Sequence, residues 1–597
     1  MNRSLAHLLK IVLLVAALGL VLPTSGALGA KSGQTSKQPT ATGTGGAVAS
    51  VDHDASQVGM QVLKGGGNAV DAAVATAAAL GVTEPYSCGI GGGGFMVVYS
   101  AKDGSVSTID SRETAPAAFR PDSFIDPATG QPIPFDERVT SGLGVGVPGT
   151  IRGWEKALDR FGSKPLSELL QPSIQLADSG FTVDQTYRDQ TLQNLDRFRD
   201  FTSTRETFLK NGQAPAVGSR FRNPDLAATY GRIATGGDGA FYSGTTARAI
   251  VDTVRNPPVV AGTTRNVRPG LMKTKDLADY RSLERAPTVS SYRGLHVYGM
   301  GPPSSGGSTV GEALNILEGY PMATLPSDDA LHYYLEASRY SFADRGAYLG
   351  DPGYVYVPLR GLLSDGFAAE RRALITNQAA KSPVDPGDPY PYDGGSGTIG
   401  TLASTAVEGP STTHLTVSDK WGNIVSYTFT IEQTGGSAIT VPGHGFILNN
   451  ELTDFEPTPG LANSSAGGKR PRSSISPTIV TSEGGDPILA LGSPGGSTII
   501  TTVLQVLVND LDFGMTLPEA IAAPRASQRN TQTTSAEPAF LSTYETSLVS
   551  KHRQSFTSTP EIGAATGIAF LPDETVQAAA EPARRGGGSA LVENPAP

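Results

Sequence analysis

The sequence predicts an α/β protein in which β-sheets lie inside and helices cover them. Two groups of strand-like segments, at residues 94–110 and 413–491, are flanked by stretches with helical periodicity. The chain has 597 residues, of which 17% are charged, so it can bury a large core in two domains or in one layered domain. A tandem repeat of solenoid length is absent, which argues against a repeat protein.

The first thirty residues have the layout of a secretory signal peptide. Arg3 and Lys10 precede the apolar run "IVLLVAALGLVL", and the small residues of "SGALGA" follow it. We expect a signal at residues 1–30 and a secreted or envelope-associated protein; an uncleaved anchor stays open as the alternative, although the run is short for a spanning helix. Residues 31–46 read as a polar linker, so that structure should begin near Ala47.

Helices and strands then follow in order along the chain. Residues 55–82 carry two helical patterns, and Asn68 is a good N-cap for the second. A strand, a Lys-Asp-Gly turn and a second strand occupy residues 94–110. Helices are predicted at 150–162, 165–178, 272–281, 309–318, 328–346 and 364–375, with a strand at 294–300.

A long segment without periodicity separates the two halves of the chain. Residues 377–411 are rich in Pro, Gly, Ser and Asp, and they predict an exposed, flexible connector. Beyond it, strands are predicted at 413–418, 424–431, 445–449, 475–482 and 486–491, and helices near 498–512 and 517–523.

Composition excludes several classes of function. The net charge is −10, from 46 basic and 56 acidic residues, so nucleic acid is not an expected partner. Cys88 is the only cysteine, which rules out an intramolecular disulfide, and it reads as a small buried residue rather than a nucleophile. The seven histidines are scattered and G-x-S-x-G is missing, so we expect neither a metal site nor a serine-hydrolase elbow.

Two glycine runs, Gly89–Gly94 and Gly144–Gly149, fit the G-x-G-x-x-G template. The first is followed by a strand instead of a helix, and the second lacks a convincing βαβ unit. Close packing of the backbone is therefore the better interpretation of both runs.

The segment from Thr412 to Thr430 predicts a β-hairpin whose connection is residues 419–423. If its register is symmetric about Trp421, Thr412 lies opposite Thr430, with Cβ atoms about 4.5–5.5 Å apart. His414 lies near the strand start and reads as a structural hydrogen-bonding residue rather than a base.

A threonine hydroxyl inside a chain is a poor nucleophile, because nothing adjacent accepts its proton. If the Ser411–Thr412 bond is cut, Thr412 gains an α-amine with a pKa of about 7.7–8.0, which can serve as the base for its own hydroxyl. The alternative is an ordinary hairpin in which threonines reflect β propensity alone.

Several sequence blocks, in one order, resemble the gamma-glutamyltransferase (gamma-glutamyltranspeptidase) family of the N-terminal-nucleophile hydrolase superfamily. They include "GGGGFMVVYS", "DSRETAP", "GPPSSGG", "TTHLTVSDKWGNIVSYTFTIE", "KRPRSSISPTIV" and "LGSPGGS". The resemblance implies a four-layer αββα sandwich built jointly by two subunits. It implies cleavage between Ser411 and Thr412, giving a large subunit at 47–411 and a small catalytic subunit at 412–597.

The resemblance also implies roles for individual residues. Thr412 matches the nucleophile, Thr430 the threonine that hydrogen-bonds it, and Gly495 and Gly496 the oxyanion hole. The matched substrate site consists of Arg112, Ser473 and Ser474 for an α-carboxylate, and Glu432, Glu451 and Asp454 for an α-ammonium group. No metal or organic cofactor is expected.

Three departures from the family pattern affect this site. Glu432 stands where many members have Asn, and Gly435-Gly436 replaces an aromatic-Gly pair. Only 18 residues separate Asp454 from Ser473, which predicts an open cleft without a lid, accessible to bulky or polymeric substrates.

The sequence thus predicts a secreted, self-processing γ-glutamyl transferase and hydrolase acting on glutathione or related donors, with water, amino acids or peptides as acceptors. A glutaryl-type (cephalosporin) acylase of the same fold is the nearest alternative, although its substrate lacks the ammonium group that three acids would bind. A non-catalytic envelope binding protein is the alternative from another class, and it would need a broken nucleophile or oxyanion loop.

Overall fold

The structure is a computed structural model that describes residues 37–395, 397–401 and 411–596. The predicted signal at 1–30 and the stretch 402–410 of the predicted connector lie outside the described residues. Among the helices of the described part, none is both long enough and apolar enough to cross a membrane.

Eighteen strands are found in the described residues. In chain order they are β1 (Thr40–Ser50), β2 (Gly93–Ser100), β3 (Ser105–Asp110), β4 (Phe181–Thr182), β5 (Arg220–Phe221), β6 (Leu283–Arg285), β7 (Thr288–Tyr292), β8 (Leu295–Gly299), β9 (Thr413–Ser418), β10 (Ile424–Thr430), β11 (Thr478–Ser482), β12 (Pro487–Gly492), β13 (Ala526–Ser527), β14 (Thr534–Ala536), β15 (Phe556–Ser558), β16 (Thr566–Phe570), β17 (Val576–Ala580) and β18 (Ser589–Pro595).

The helices are distributed along the whole described chain. They are α1 (His53–Lys64), α2 (Ala69–Thr83), α3 (Phe135–Val139), α4 (Thr150–Phe161), α5 (Leu166–Leu169), α6 (Gln171–Ser179), α7 (Gln185–Gln193), α8 (Leu195–Arg199), α9 (Thr202–Phe208), α10 (Pro224–Gly236), α11 (Gly239–Tyr242), α12 (Gly244–Arg255), α13 (Thr274–Asp279), α14 (Gly306–Leu317), α15 (Ser327–Tyr348), α16 (Leu359–Leu362), α17 (Asp365–Ala373), α18 (Tyr390–Asp393), α19 (Thr498–Leu511), α20 (Leu517–Ala522) and α21 (Pro538–His552).

Most strands belong to one antiparallel sheet that folds over on itself. Its order is β6-β3-β2-β10-β9-β1-β17-β16-β12-β11-β8-β7, and β18 pairs with β1. Strands β9 and β10 of one half lie against β12 and β16 of the other, and apolar side chains such as Val97, Ile424 and Ala490 fill the space between the halves. The two halves are thus stacked sheets joined at β1 and β17.

Helices cover both outer faces of the stacked sheets. On one side α2 packs on β9 and β10, and on the other α14 packs on β7 and β8 while α20 packs on β16 and β17. Each side has its own large apolar core. The order of layers is therefore helix, sheet, sheet, helix, as predicted.

Strand β1 makes the turn from one sheet to the other. Residues 40–43 pair with β17, whereas residues 47–50 pair with β9. Between these segments the register with β18 shifts, and Gly45 has a φ of 87° that suits glycine. The glycine-rich "TGTGG" therefore permits the bend, and residues 40–46 are sheet rather than part of the predicted linker 31–46.

The hairpin β9–β10 has the predicted register. Ser418 pairs with Ile424, and His414 pairs with Thr428, so the pairing is symmetric about Trp421. The Asp419 carboxylate accepts hydrogen bonds from the backbone N–H groups of Trp421 (2.9 Å) and Asn423 (3.0 Å), which fixes the five-residue connection.

Helix α2 supports β9 and β10 from the outer face. Asn68 caps it by accepting from the backbone N–H groups of Val70 and Asp71, both at 3.0 Å, as the sequence predicted. The Asn68 N–H in turn donates to the Asp71 carboxylate at 2.9 Å, which completes a capping box. Every residue of α2 is buried, so the hairpin that carries the candidate nucleophile rests on a rigid layer.

Two further predictions need correction. The strand predicted at 445–449 is a single β-bridge between Thr440 and Ile447. The predicted connector is packed over much of its described length: the Val384 N–H donates to Asn530 (2.7 Å), and Asp393 accepts from the Gly361 N–H (2.9 Å). The segment lacks hydrophobic periodicity because its structure is irregular. Side chains and turns, instead of a helix or strand, supply hydrogen bonds to its backbone groups.

Candidate active site

Two threonines meet at the open end of the β9–β10 hairpin, where the sequence placed them. The Thr412 hydroxyl donates to Thr430 Oγ1 at 3.1 Å, and the Glu432 backbone N–H donates to the same oxygen at 2.8 Å. Both threonines are buried. Thr412 has a φ of 96°, a left-handed conformation that a β-branched residue rarely adopts. The backbone is thus strained at the candidate cleavage site.

The carbonyl group of Ser411 points into the candidate oxyanion hole. Its oxygen accepts a hydrogen bond from the Gly495 N–H at 3.1 Å. Gly495 and Gly496 have φ values of 138° and 57°, and a Cβ on Gly495 would lie 2.6 Å from Thr498 Oγ1. Glycine is therefore required in this loop, and the loop already polarises the carbonyl of the bond before Thr412.

The predicted substrate residues line a single pocket beside the two threonines. Its lining comprises Arg112, Thr412, Thr430, Glu432, Glu451, Asp454, Ser473, Ser474, Ile475, Gly496 and Ile499. The pocket has a volume of about 20 Å³ in the uncut chain, room for about one water molecule. The open cleft that the short segment between Asp454 and Ser473 predicts stays a prediction for the cut protein.

Arg112 joins the two predicted halves of the substrate site. Its two terminal nitrogens form ion pairs with Glu451 and Asp454, and its Nη2 also donates to the Arg472 carbonyl at 3.0 Å. Burial acts to lower the pKa of Arg112, but the charges of Glu451 and Asp454 outweigh it and raise that pKa. In the uncut chain the predicted carboxylate-binding cation is therefore neutralised by the predicted ammonium-binding acids.

Glu432 is held by different partners from those of the other two acids. Its carboxylate accepts from the side-chain amides of Asn450 (2.5 Å) and Gln433 (2.7 Å) and from the Thr453 hydroxyl (3.3 Å). The backbone of Glu432 has a φ of 78°, and its N–H donates to Thr430 Oγ1. Glu432 thus links the substrate pocket to the nucleophile.

The two predicted serines are fixed by residues that precede the predicted connector at 377–411. The Ser473 backbone N–H donates to the Pro303 carbonyl at 3.0 Å, and Ser304 forms a parallel bridge with Ser473. Arg345 Nη2 donates to Ser474 Oγ at 2.7 Å. Sequence reasoning missed Arg345, because only the folded chain brings α15 to this loop.

Glu113 is a second residue that sequence reasoning missed, although it follows Arg112 in the quoted block "DSRETAP". It is fully buried. Burial, and then the charge of Glu451, raise the pKa of Glu113 well above its usual range, against the opposing effect of Arg112. The protonated form of Glu113 is therefore favoured relative to that of an exposed glutamate.

Arg585 contacts the backbone of the candidate nucleophile but does not line the pocket. Its Nη1 donates to the Thr412 carbonyl and its Nη2 to Ser87 Oγ, both at 2.7 Å, and the Glu84 carboxylate lies 4.0 Å away. Sequence reasoning missed Arg585, because only the folded chain brings it to Thr412.

The remaining candidate residues have structural roles. His414 is buried between the hydroxyls of Thr428 (2.7 Å) and Thr416 (3.0 Å), and burial lowers its pKa to about 3. Cys88 is a buried free thiol whose pKa is raised by burial. Close packing explains the glycine runs, since a Cβ on Gly91 would lie 2.1 Å from the Ile447 carbonyl oxygen.

The chain is similar to known proteins over most of its length. The family model described as gamma-glutamyltranspeptidase matches residues 55–591. The glutathione hydrolase proenzyme of Bacillus subtilis (strain 168) is 43% identical over 487 residues, which cover 81% of this chain and 80% of the relative. An acylase ACY 1 proenzyme of Pseudomonas sp. (strain V22) is 37% identical over 552 residues, covering 92% of this chain and 93% of the relative.

Solved structures share the fold. The cephalosporin acylase from Bacillus halodurans superposes with a TM-score of 0.80 and 28% identity, covering 94% of this chain and 97% of that one. The layered N-terminal-nucleophile hydrolase fold predicted from the sequence is thereby confirmed.

Proposed function

The chain belongs to the gamma-glutamyltranspeptidase family, and from this premise we propose that it is a self-processing γ-glutamyl transferase and hydrolase. Thr412 would be its nucleophile, and glutathione or a related γ-glutamyl compound its donor. The observation that carries the proposal is the Ser411 carbonyl on the Gly495 N–H, next to a strained Thr412 whose hydroxyl is bonded to Thr430.

Self-cleavage would come first. The Thr412 hydroxyl oxygen adds to the Ser411 carbonyl carbon, and Gly495 stabilises the charge on the carbonyl oxygen. The C–N bond then breaks, its nitrogen gains a proton, and the resulting ester is hydrolysed to a Ser411 carboxylate and a free Thr412 amine. The products are a large subunit ending at Ser411 and a small subunit beginning at Thr412, which stay together as a heterodimer.

Catalysis would reuse the same atoms. The new α-amine of Thr412 accepts the proton of the hydroxyl as the oxygen attacks the γ-carbonyl of the donor. The leaving amine departs with that proton, and a γ-glutamyl ester on Thr412 remains. Water, or the amine of an amino acid or peptide, then attacks the ester and regenerates the threonine.

Charge pairing in the pocket favours a γ-glutamyl donor. The donor carries an α-carboxylate and an α-ammonium group on one carbon. It can replace the ion pairs of Arg112 with Glu451 and Asp454 by giving each partner an opposite charge. A buried charge left without a partner costs about 3–5 kcal/mol, so a ligand with both charges is preferred.

An acylase that removes glutaryl groups is the second candidate. It is supported by the 94% coverage of this chain by the cephalosporin acylase structure. A glutaryl group brings only a carboxylate, which would compete with Glu451 and Asp454 for Arg112 and offer no positive charge in exchange. The charges that line the pocket therefore favour a γ-glutamyl substrate over a glutaryl one.

We further propose that the protein is exported by the signal at residues 1–30. The supporting observation is the basic, apolar and small-residue order of that segment. Fractionation of producing cells should find the activity outside the cytoplasm, and deletion of residues 2–30 should keep it inside. Equal activity in the cytoplasm for both forms would contradict export.

Paired anilide substrates test the activity itself. We expect release of p-nitroaniline from γ-glutamyl-p-nitroanilide at least ten times faster, as kcat/KM, than from glutaryl-p-nitroanilide. The Thr412→Ala variant, which cannot form the ester, is the control for background hydrolysis. Faster release from the glutaryl compound would support the acylase hypothesis. No release from either compound would contradict both the transferase and the acylase hypotheses.

A further inference from the structure

Three potential metal ligands meet where α15 packs on α21. They are Asp328 and Asp329 in the first turn of α15 and His552, the last residue of α21, and their ligand atoms lie within 4.8 Å of one another. We propose that these side chains bind one zinc ion, which links the large and small subunits of the cut protein. Zinc binding does not depend on the proposed function, whereas the link between subunits rests on the proposed cleavage before Thr412.

The imidazole ring of His552 is the first argument, because acidic groups alone are no sign of an ion. His552 is 3% exposed, and its Nδ1 lies 2.8 Å from the Asn377 carbonyl oxygen, which can only accept a hydrogen bond. Nδ1 therefore carries the ring hydrogen, and Nε2 is left with its lone pair on the side of the acids. A histidine that ligates a metal commonly donates its other ring N–H to a carbonyl group in this way.

The contact between His552 and Asp329 is the second argument. Nε2 lies 2.9 Å from Asp329 Oδ1, yet this buried nitrogen has no hydrogen-bond partner among the described residues, because the contact lacks hydrogen-bond geometry. Two ligands of one zinc ion, each about 2.0–2.2 Å from the metal, lie about 3.0–3.4 Å apart and point at the ion rather than at each other. The contact thus resembles a pair of ligands more closely than a hydrogen bond.

A positive charge already lies between the two carboxylates. The Lys551 ammonium group is 2.6 Å from Asp329 Oδ1 and 3.4 Å from Asp328 Oδ2. The Lys551 side chain is 46% exposed, so it can move into solvent, and the partly exposed aspartates leave an ion a way in. Zinc would replace the ammonium group, and its double charge would balance both carboxylates.

His332 fixes the orientation of the His552 ring. The two imidazole rings stack with their centroids 4.3 Å apart and 8° between their planes. Both nitrogens of His332 are engaged, because Nε2 lies 2.8 Å from the Thr376 carbonyl oxygen and Nδ1 lies 3.0 Å from Gln554 Nε2. His332 therefore supports the site and is not a fourth ligand, which leaves that position to water.

The set of ligand atoms selects the class of metal. One imidazole nitrogen and two carboxylate oxygens suit zinc, which often takes three protein ligands and a water molecule. Calcium and magnesium prefer sites made of oxygen atoms alone. The histidines are scattered in the sequence and predicted no metal site, but the fold brings His552 to the two acids of α15.

Zinc titration of the full chain, prepared without an affinity tag, tests the site. Calorimetry with ZnCl2 should find about one site per chain, and His552→Gln should raise its Kd at least about tenfold. MgCl2 and CaCl2 should not compete. His444→Gln is the matched control, because His444 is a partly exposed histidine outside the cluster, and its Kd should match the wild type. No zinc binding by the wild type, or equal binding by His552→Gln, would overturn the site.

Lys551→Met gives a result that an ordinary cluster of ion pairs would not. Loss of the competing ammonium group should lower the Kd for zinc, the opposite of the change in His552→Gln. This variant alters only an exposed side chain, so it keeps the proposal testable if His552→Gln does not fold. An unchanged or raised Kd would contradict a zinc ion in the place of the ammonium group.

Separation of the subunits tests the link between them. In the cut protein, ZnCl2 should raise the urea concentration at which the two subunits separate on size-exclusion chromatography, for the wild type and not for Asp329→Asn. Turnover of γ-glutamyl-p-nitroanilide checks that both proteins are folded, since no zinc ligand lines the pocket beside Thr412. Equal urea midpoints with and without zinc would overturn the link. A wild type that binds zinc but stays uncut would overturn the proposed function and leave the zinc site standing.

Discussion

The two cavities on either side of the oxyanion loop are built in different ways. The pocket beside Thr412 and Thr430, here called the donor pocket, has a volume of about 20 Å³ in the uncut chain. It is bordered by the buried Arg112, which is paired with Glu451 and Asp454. The second cavity has a volume of about 220 Å³ and includes Gly495 in its lining. Hydroxyl groups and the half-buried Arg529 and Arg585 border it. A pocket with fully paired buried charges accepts only a ligand that replaces those pairs, whereas a wetter cavity tolerates variety. The difference teaches that the pocket beside Thr412 should select strictly for a ligand that carries both charges.

The largest expected effect abolishes chemistry on both sides of the loop. Thr412→Ala removes the attacking oxygen, so the chain should remain uncut and its turnover of γ-glutamyl-p-nitroanilide should fall by at least about 10³-fold. Electrophoresis and the anilide assay measure the two effects. Thr412→Ser keeps a hydroxyl and is the control; an uncut Thr412→Ala chain with wild-type turnover would contradict the account.

A change at Arg112 should separate donor binding from the transfer step. Arg112→Lys keeps a positive charge but loses the fork that reaches both Glu451 and Asp454. We expect kcat/KM for γ-glutamyl donors to fall by about 10²–10³-fold, largely through KM, while the preference of the acyl-enzyme among acceptors stays unchanged. Steady-state kinetics with several acceptors check this. A shifted order of acceptors would show that Arg112 also acts in the transfer step.

The pH dependence of stability tests the environment of Glu84, whose carboxylate lies 4.0 Å from the Arg585 guanidinium group. Burial raises the pKa of Glu84 from its ordinary value of 4.5 to about 7, against the opposing charge of Arg585. The folded state therefore holds a proton that the unfolded state releases, so this contribution is full below pH 4.5 and is lost as the pH rises through 7.

Glu84→Gln removes that loss. In an uncut Thr412→Ala background, we expect the Gln variant to gain on the order of 2 kcal/mol relative to the Glu84 chain between pH 4.5 and 8. Denaturant unfolding at several pH values measures the difference. A difference that does not vary with pH would show that Glu84 titrates normally in the folded chain.

The smallest expected effect concerns Thr430, the hydrogen-bond partner of the nucleophile. Thr430→Val keeps the shape of the side chain but removes the oxygen that accepts from Thr412 and from the Glu432 N–H. We expect kcat to fall about tenfold for all donors alike, because one net hydrogen bond to the nucleophile is lost. Thr430→Ser should restore most of it. A loss confined to one donor would place Thr430 in substrate binding instead.

The hairpin shows how far local sequence determines structure. The turn residues Asp419, Gly422 and Asn423 and the flanking β-branched residues fix the register, and the register brings Thr412 to Thr430. Helix α2 was equally predictable, since Asn68 and an alanine-rich apolar run specify its start and its burial.

Other regions were missed for physical reasons. Helices α7 to α9 are short and largely polar, so their periodicity is weak. Strand β17, "VQAAA", contains alanines with low β propensity, and tertiary pairing with β1 and β16 overrides that preference.

The contacts of Arg345 with Ser474 and of Arg585 with Thr412 span more than a hundred residues of sequence. Such pairs could not be predicted without the fold. Resemblance supplied the donor residues, whereas the second cavity emerged only from the assembled chain.

The origin of the nucleophile is the central claim, and N-terminal sequencing of the purified active protein tests it most directly. The account predicts two fragments, with the smaller one beginning Thr-Thr-His-Leu at residue 412. Mass spectrometry after brief exposure to glutathione should find the γ-glutamyl group on that fragment alone. Full activity in a single uncut polypeptide, or an acyl group on another residue, would contradict it.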